Sequence, residues 1–242
     1  MKSIGIIGAM EEEVAFLKEE LTEVTITKKT GLEFYEGFLV GKPVVVVRSG
    51  IGKVNAGICT QMLIDLFDIE CIINTGIAGS LVGDVEIGDV VVSTDTLQHD
   101  FDATGFGYPL GKIPRIDVLA FEADKKLVES AYTSCKMVNG HIQVHKGRIV
   151  SGDVFVSDNE KKERIATTFN ALCTEMEGAA IGQVAYLNQV PYVVIRAISD
   201  KADDSAKVDY PVSAGKAIEN SVRLVKEMIR YELPYVNPIR WE

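Results

Sequence analysis

Acidic side chains stand at three places where the residue pattern changes from strand-like to turn or helix: Glu11-Glu12-Glu13, Glu175-Met176-Glu177 and Asp200. Carboxyl groups so placed can act as general acid and general base, one giving a proton to a departing group and another readying water. Asp200 follows Pro191-Tyr192-Val193-Val194-Ile195-Arg196-Ala197-Ile198-Ser199, an apolar run that reads as a strand buried on both faces. In open α/β sheets the crevice outside the carboxyl ends of the strands is where ligands bind. The macrodipole favours acids at a helix start, but successive helix positions point about 100° apart, so the three glutamates cannot all share one environment. Glu13 is expected to be the one that turns inward. Strand alternation would put Glu175 and Glu177 on one face and Met176 on the other.

The elements that must position these groups follow in order. Lys2–Gly8 is a β-rich run, Ala9-Met10 a turn, and Val14, Leu17 and Leu21 mark one face of a helix. Residues 32–40 and 44–48 read as two strands around Gly41-Lys42-Pro43. Ser49-Gly50-Ile51-Gly52-Lys53-Val54 resembles a phosphate loop only superficially, because Val47 and Val54 occupy positions where Gly and Ser or Thr are required. A helix of about 14 residues follows, with Ala56, Cys59, Met62, Leu63 and Leu66 on its apolar side. Residues 70–75 form a strand ending at Gly76-Ile77-Ala78-Gly79, and residues 89–94 form another. Residues 95–115 read as a long irregular loop carrying Phe101, Phe106, Tyr108, Pro109 and Pro114, a pattern that suggests a lid or a homodimer contact. A helix over 122–134, a strand over 144–150, a helix over 159–168 and a final amphipathic helix over 214–231 complete the pattern. Phe155, in Ser151-Gly152-Asp153-Val154-Phe155-Val156, reads as core packing on its own.

At 242 residues with 47% hydrophobic and 25% charged residues, the chain suits one large α/β domain over residues 1–232 and a short tail, 233–242. Net charge of -10 disfavours nucleic acid and anionic membranes, so a small molecule is the expected partner. No apolar run is long enough to span a membrane, and the first residues lead into a strand, which points to the cytoplasm. Cys59, Cys71, Cys135 and Cys173 are scattered, with no metal-ligand spacing, and are expected to be reduced packing residues. No metal site or dinucleotide motif is found. Strand ends carrying glycine and acid, namely Gly8, Gly50, Gly76, Glu177 and Asp200, suit cleavage of a glycosidic bond through an oxocarbenium-like transition state. Composition and spacing do not name the leaving group.

Seven segments together carry a resemblance: Gly5–Val14 with Gly-Ala-Met-Glu-Glu-Glu, Ser49–Val54, Asn74–Gly79, Gly105–Tyr108, Ser151–Phe155, Glu175–Glu177 and Arg196–Asp200. In this order the chain resembles the 5′-methylthioadenosine/S-adenosylhomocysteine nucleosidases. The resemblance implies a nucleoside phosphorylase-like fold, a single-domain three-layer α/β/α sandwich around a central mixed, largely parallel twisted sheet. It also implies irreversible, cofactor-free hydrolysis of 5′-thioadenosines to adenine and a thioribose. By the same resemblance Asp200 protonates adenine N7, Glu13 activates water, Glu177 holds the ribose hydroxyls and Met176 lies beside the sugar. Ser199 supports Asp200, Phe155 stacks on adenine, and the Val156 backbone reads the purine edge. Gly79 belongs to the substrate-binding turn, while Met10, Ile51 and Tyr210 line the wall. Phe106, Tyr108 and Pro114 match a loop lent by the partner subunit of a homodimer.

Two departures stand out: Ile77 where the family commonly has Ser, and Ser80 in place of a Gly. Three other readings compete. They are a purine nucleoside phosphorylase, which would need arginines for phosphate, a 6-amino-6-deoxyfutalosine hydrolase, and a non-catalytic nucleoside-binding module.

Overall fold

The computed structural model describes residues 2–231, so the expected tail over 233–242 lies outside the described residues. The chain runs β1 (Ser3–Gly8), α1 (Glu11–Glu19), β2 (Thr22–Lys29), β3 (Leu32–Leu39), β4 (Lys42–Arg48), α2 (Lys53–Leu66), β5 (Ile69–Ser80) and β6 (Val90–Gln98). It continues through β7 (Phe121–Glu122), α3 (Lys125–Val138), β8 (Val144–Ser151), α4 (Asn159–Phe169), β9 (Cys173–Glu175), α5 (Gly178–Asn188), β10 (Tyr192–Asp200) and α6 (Ala206–Arg230).

One mixed sheet holds all ten strands, in the order β10-β6-β8-β9-β5-β1-β4-β3-β2, with β7 beside β6. Because β5 also pairs with β10, one end of the sheet curls back on itself. Parallel pairings join β1 to β4 and β5, β5 to β10, and β8 to β6 and β9.

Side-chain alternation builds the layers. In β10, Val193, Ile195 and Ala197 face a core shared with Val14 and Leu17 of α1, Leu127 of α3 and Leu224 of α6. Val194 and Ile198 face the opposite core, with Ala56, Cys59 and Leu63 of α2 and Ile181 of α5. β4 splits likewise, Val44 and Val46 to the first core and Val45 and Val47 to the second. Strands covered on both faces read as continuous apolar runs, which is why β1, β4, β5 and β10 are visible in the sequence.

Several boundaries differ from expectation for identifiable reasons. β5 does not stop at Gly76 but runs to Ser80, since its glycines accommodate side chains pressed against the strand (below). β9 ends at Glu175, and Glu177 is the N-cap of α5 with φ -132° and ψ -41°, so simple strand alternation does not relate the two acids. β6 extends to Gln98 and shortens the long loop. α3 starts only after Asp124, whose carboxylate accepts from the N–H groups of Lys126 and Leu127. α6 begins at Ala206 and passes through Pro211. Leu66, expected on the apolar side of α2, is exposed. The four cysteines are free and buried. Burial lifts the thiol pKa of Cys59 to about 12 and of Cys135 to about 11.

Candidate active site

The carboxyl ends of β1, β5 and β10 open into a cavity of about 410 Å³. Its wall includes Ala9, Met10, Glu13, Ile51, Ile77, Ala78, Gly79, Phe155, Thr174, Glu175, Met176, Glu177, Ser199, Asp200, Lys207 and Tyr210.

Glu13 enters from the first turn of α1. It is buried while Glu11 and Glu12 are exposed, as helix geometry requires of one of the three. Its Oε2 accepts from the N–H groups of Ala9 (2.7 Å) and Met10 (2.9 Å), and its Oε1 from that of Ile77 (3.2 Å). Burial pushes the Glu13 carboxyl above the usual range, against the lowering pull of the Arg196 guanidinium and these three amides. A Cβ at Gly76 would lie 2.5 Å from Glu13 Oε1, so glycine at this point of β5 makes room for the carboxylate.

Asp200 ends β10 across the cavity floor. Its Oδ1 accepts from the Ala202 N–H (2.8 Å) and its Oδ2 from the Ser199 hydroxyl (2.9 Å). Burial raises its pKa, while those two donors oppose the shift. Gly79 is again a clearance position, since a Cβ there would stand 2.7 Å from Asp200 Oδ1. The two acids thus abut β5 two residues apart, at Ile77 and Gly79, roughly 7 Å along the strand.

Between them lies a buried ionic floor that connects β1, β5, β8, β9 and β10. Arg196, in the middle of β10, is fully buried. Its Nε donates to Glu175 (3.2 Å), Nη2 donates to Glu175 and to Asn74 Oδ1 (2.6 Å), and Nη2 lies 4.0 Å from Glu177. Asn74 donates onward to the Ile7 carbonyl of β1 (2.9 Å). Glu175 also accepts from the Ser151 hydroxyl and from the backbone N–H of Glu177 and Gly178. That network fixes the first turn of α5 and with it Glu177, whose Oε1 accepts from Gly52 N–H (2.8 Å). Burial first, and then the Glu175 charge, push the Glu177 carboxyl up to about 7.

The structure brings most of the sequence-predicted residues to this cavity. Met10, Ile51, Gly79, Phe155, Met176, Glu177, Ser199 and Tyr210 line it together with Glu13 and Asp200. Val156 lines a side recess of about 30 Å³ that shares Gly79, Phe155 and Asp200 with the main cavity. Phe155 is not core: it is 47% exposed and meets the Tyr210 ring edge-on at 6.2 Å. Phe106 is 87% exposed, and neither it, Tyr108 nor Pro114 lines the cavity within one chain. Ile77 contributes a backbone N–H to Glu13, and the Ser80 hydroxyl donates to the Val82 and Val85 carbonyls.

Arg196, Asn74 and Lys207 were absent from the sequence-derived site. Arg196 could have been suspected as the single charge inside an otherwise apolar strand. Among the described residues, no cluster of three or more His, Cys, Asp or Glu side chains could hold a metal ion. No helix of the described residues is long and apolar enough to cross a membrane.

A buried acid on each side of a largely apolar cavity can protonate one end of a bound molecule and deprotonate water at the other. Comparison with known proteins agrees in kind. The family model described as the phosphorylase superfamily matches residues 3–230. The 5′-methylthioadenosine/S-adenosylhomocysteine nucleosidase of Staphylococcus carnosus (strain TM300) is 43% identical over 94% of this chain and 99% of its own. The Neisseria meningitidis enzyme of that name, solved with methylthio-immucillin-A, superposes with a TM-score of 0.91 at 39% identity, covering 95% of this chain and 99% of its own. The futalosine hydrolase of Helicobacter pylori strain 26695 superposes with a TM-score of 0.89 at 34% identity, covering 94% and 97%. This chain belongs to the phosphorylase superfamily and, within it, to the 5′-methylthioadenosine/S-adenosylhomocysteine nucleosidases.

Proposed function

We propose that this protein hydrolyses the N-glycosidic bond of 5′-methylthioadenosine and S-adenosylhomocysteine, and of 5′-deoxyadenosine, releasing adenine and the corresponding ribose. The observation that carries this reading is the pair of buried acids abutting β5 at Ile77 and Gly79. The two acids reach the cavity from different elements, the first turn of α1 and the end of β10, so that one can act on the leaving group while the other acts on water.

In this mechanism Asp200, whose carboxyl burial pushes above its ordinary range, gives its proton to adenine N7 as the C1′–N9 bond breaks. Ser199 orients the carboxyl through its hydroxyl. Positive charge builds on the ribose, and Glu13 takes a proton from the water that attacks C1′ from the opposite side. Glu177 receives the ribose hydroxyls and Met176 packs beside the sugar. Phe155, half-exposed at the cavity edge, stacks on the base, and the Val156 backbone reads the purine edge from the side recess. Met10, Ile51 and Tyr210 form the wall for the 5′ substituent. No cofactor takes part.

Phosphorolysis is disfavoured because phosphate would need cationic partners. The buried guanidinium of Arg196 is committed to Glu175 and Asn74, and Lys207 is the one cation among the described lining residues. The likeness to the H. pylori futalosine hydrolase supports 6-amino-6-deoxyfutalosine as a second substrate reading. Measuring kcat/KM for methylthioadenosine, S-adenosylhomocysteine and 6-amino-6-deoxyfutalosine, with and without phosphate, separates these readings. Preference for the thioadenosines with phosphate-independent rates is expected. A higher value for the futalosine compound would favour the second reading, and a phosphate requirement would overturn hydrolysis. Saturable binding without release of base would leave only a nucleoside-binding module.

The proposed working form is a homodimer in the cytoplasm, serving methionine salvage. Exposure of Phe106, Val54 and Leu187, and the absence of Phe106, Tyr108 and Pro114 from the cavity of their own chain, support a loop lent to a partner's site. A monomer in light scattering that retained full activity would refute the lent loop.

A further inference from the structure

Lys207 is the one cationic side chain among the described residues that line the cavity. It sits in the first turn of α6, one helical turn before Tyr210, so both lie on the same helix face. The side chain is exposed, which places it at the rim instead of the floor.

Its neighbours leave it uncommitted. Other lysines around the site are paired: Lys53 with Asp100 (2.6 Å), Lys162 with Asp203 (3.1 Å) and Lys201 with Glu86 (2.5 Å). The acids nearest in sequence are also occupied. Asp203 accepts from Lys162 and from Ser205, Asp204 from Asn159 (2.7 Å), and Asp209 from the Ser205 hydroxyl (2.5 Å). Among the described residues, Lys207 makes no ion pair.

The rest of the cavity is unfavourable to anions. Glu13, Glu175, Glu177 and Asp200 all line it and give a negative group no cationic partner, so the Lys207 ammonium is the one positive charge among the described lining residues that such a group can meet. With the base at Asp200 and the sugar at Glu177, as in the function proposed above, the part of the ligand left to reach the rim is its 5′ substituent.

We propose that Lys207 recognises a carboxylate at the end of the 5′-thio arm, so that the site discriminates in favour of thioadenosines whose arm ends in a carboxylate, as in the zwitterionic amino-acid end of S-adenosylhomocysteine, over those whose arm is apolar. This inference rests on the proposed nucleosidase reading. Ion pairs at exposed positions contribute about 0.2–1 kcal/mol, so the expected discrimination is up to about five-fold.

The test compares kcat/KM for S-adenosylhomocysteine with that for 5′-butylthioadenosine, which has a long arm and no carboxylate, in wild type, Lys207→Met, Lys207→Glu and Lys207→Arg. The ratio should fall about 1.4- to five-fold in Lys207→Met and further in Lys207→Glu, through KM and not kcat, and Lys207→Arg should restore it. A ratio unchanged by charge removal and charge reversal, or lost equally in Lys207→Arg, overturns the inference. Wild-type turnover of methylthioadenosine checks the underlying reading separately: turnover with an unmoved ratio sinks only the role of Lys207, and no turnover of any of these compounds sinks both.

Discussion

Replacing Asp200 by Asn removes a transferable proton while leaving the surrounding contacts almost intact. The amide oxygen can still accept from the Ala202 N–H, now 2.8 Å from Oδ1. Ser199 Oγ, 2.9 Å from Oδ2, can rotate its hydroxyl to accept from the new NH₂ and to donate toward the Ala78 carbonyl at 3.4 Å. Because the Asp200 carboxyl is raised by burial, a neutral amide in its place leaves no uncompensated charge. Folding and substrate binding should therefore survive. The chemical step should not, since a general acid contributes about two to four decades of rate, or about 3–5 kcal/mol in barrier. Adenine release from methylthioadenosine gives kcat, and calorimetric titration of the variant gives Kd. The expected result is kcat down at least 100-fold with Kd within about three-fold of the wild-type value, less than 1 kcal/mol in binding. A variant retaining more than a tenth of the wild-type kcat would refute proton donation by Asp200. Kd weakened as much as kcat would reduce Asp200 to a binding group.

Other consequences are equally open to measurement. Glu13→Gln should lose at least about 100-fold in kcat, since it removes the base while keeping the shape that three backbone N–H groups hold; a near-normal rate removes Glu13 from water activation. Gly79→Ala forces a methyl to within 2.7 Å of Asp200 Oδ1 and 2.8 Å of the Ala202 Cβ. It should cost about 1–3 kcal/mol of stability in denaturant titration and lower kcat at least ten-fold, about 1.4 kcal/mol in barrier, whereas a neutral outcome would mean the Asp200 turn is free to shift. Arg196→Met leaves Glu175 buried without its partner and should destabilise by about 3–5 kcal/mol, read from the urea midpoint; a loss under 1 kcal/mol would mean Glu175 simply takes up a proton.

The pH dependence of stability has a definite sign. Glu177 titrates near 7 in the folded chain against 4.5 as its ordinary value. Between these values the folded chain holds a proton that the unfolded chain has released. The contribution is complete below about 4.5 and is lost as pH rises through about 7. Glu13 and Asp200, also raised, add with the same sign. Tm should fall between pH 5 and 7.5, and Glu177→Gln should flatten that slope; an unchanged slope would place the titration elsewhere.

Which parts of this site can be read from the sequence follows from what fixes each residue. Asp200 is legible because a strand buried on both faces must be apolar, so the acid at its end stands out. Glu13 is legible because helix geometry prevents three consecutive acids from sharing one side. Arg196 escapes because its partners Glu175 and Asn74 are distant in sequence, and only the closure of β5 onto β9 and β10 brings them together. β2 escapes for a different reason: Thr22–Lys29 is an exposed edge strand paired only with β3, and its polar residues carry no core pattern. α6 begins earlier than its apolar periodicity because Pro211 and the surrounding polar residues obscure the first turns, and Lys207 lies in that stretch. The outward-facing Phe106 is visible as an aromatic on a loop, but one chain does not determine what it meets.

Two opposed acids hydrolyse a thioadenosine without phosphate in the proposed mechanism. Incubating the protein with 5′-methylthioadenosine in phosphate-free buffer and quantifying free adenine tests it most directly. Complete conversion to adenine and 5-methylthioribose is expected, at a rate unaltered by added phosphate. Absence of adenine, or formation of a ribose 1-phosphate only when phosphate is supplied, would contradict it.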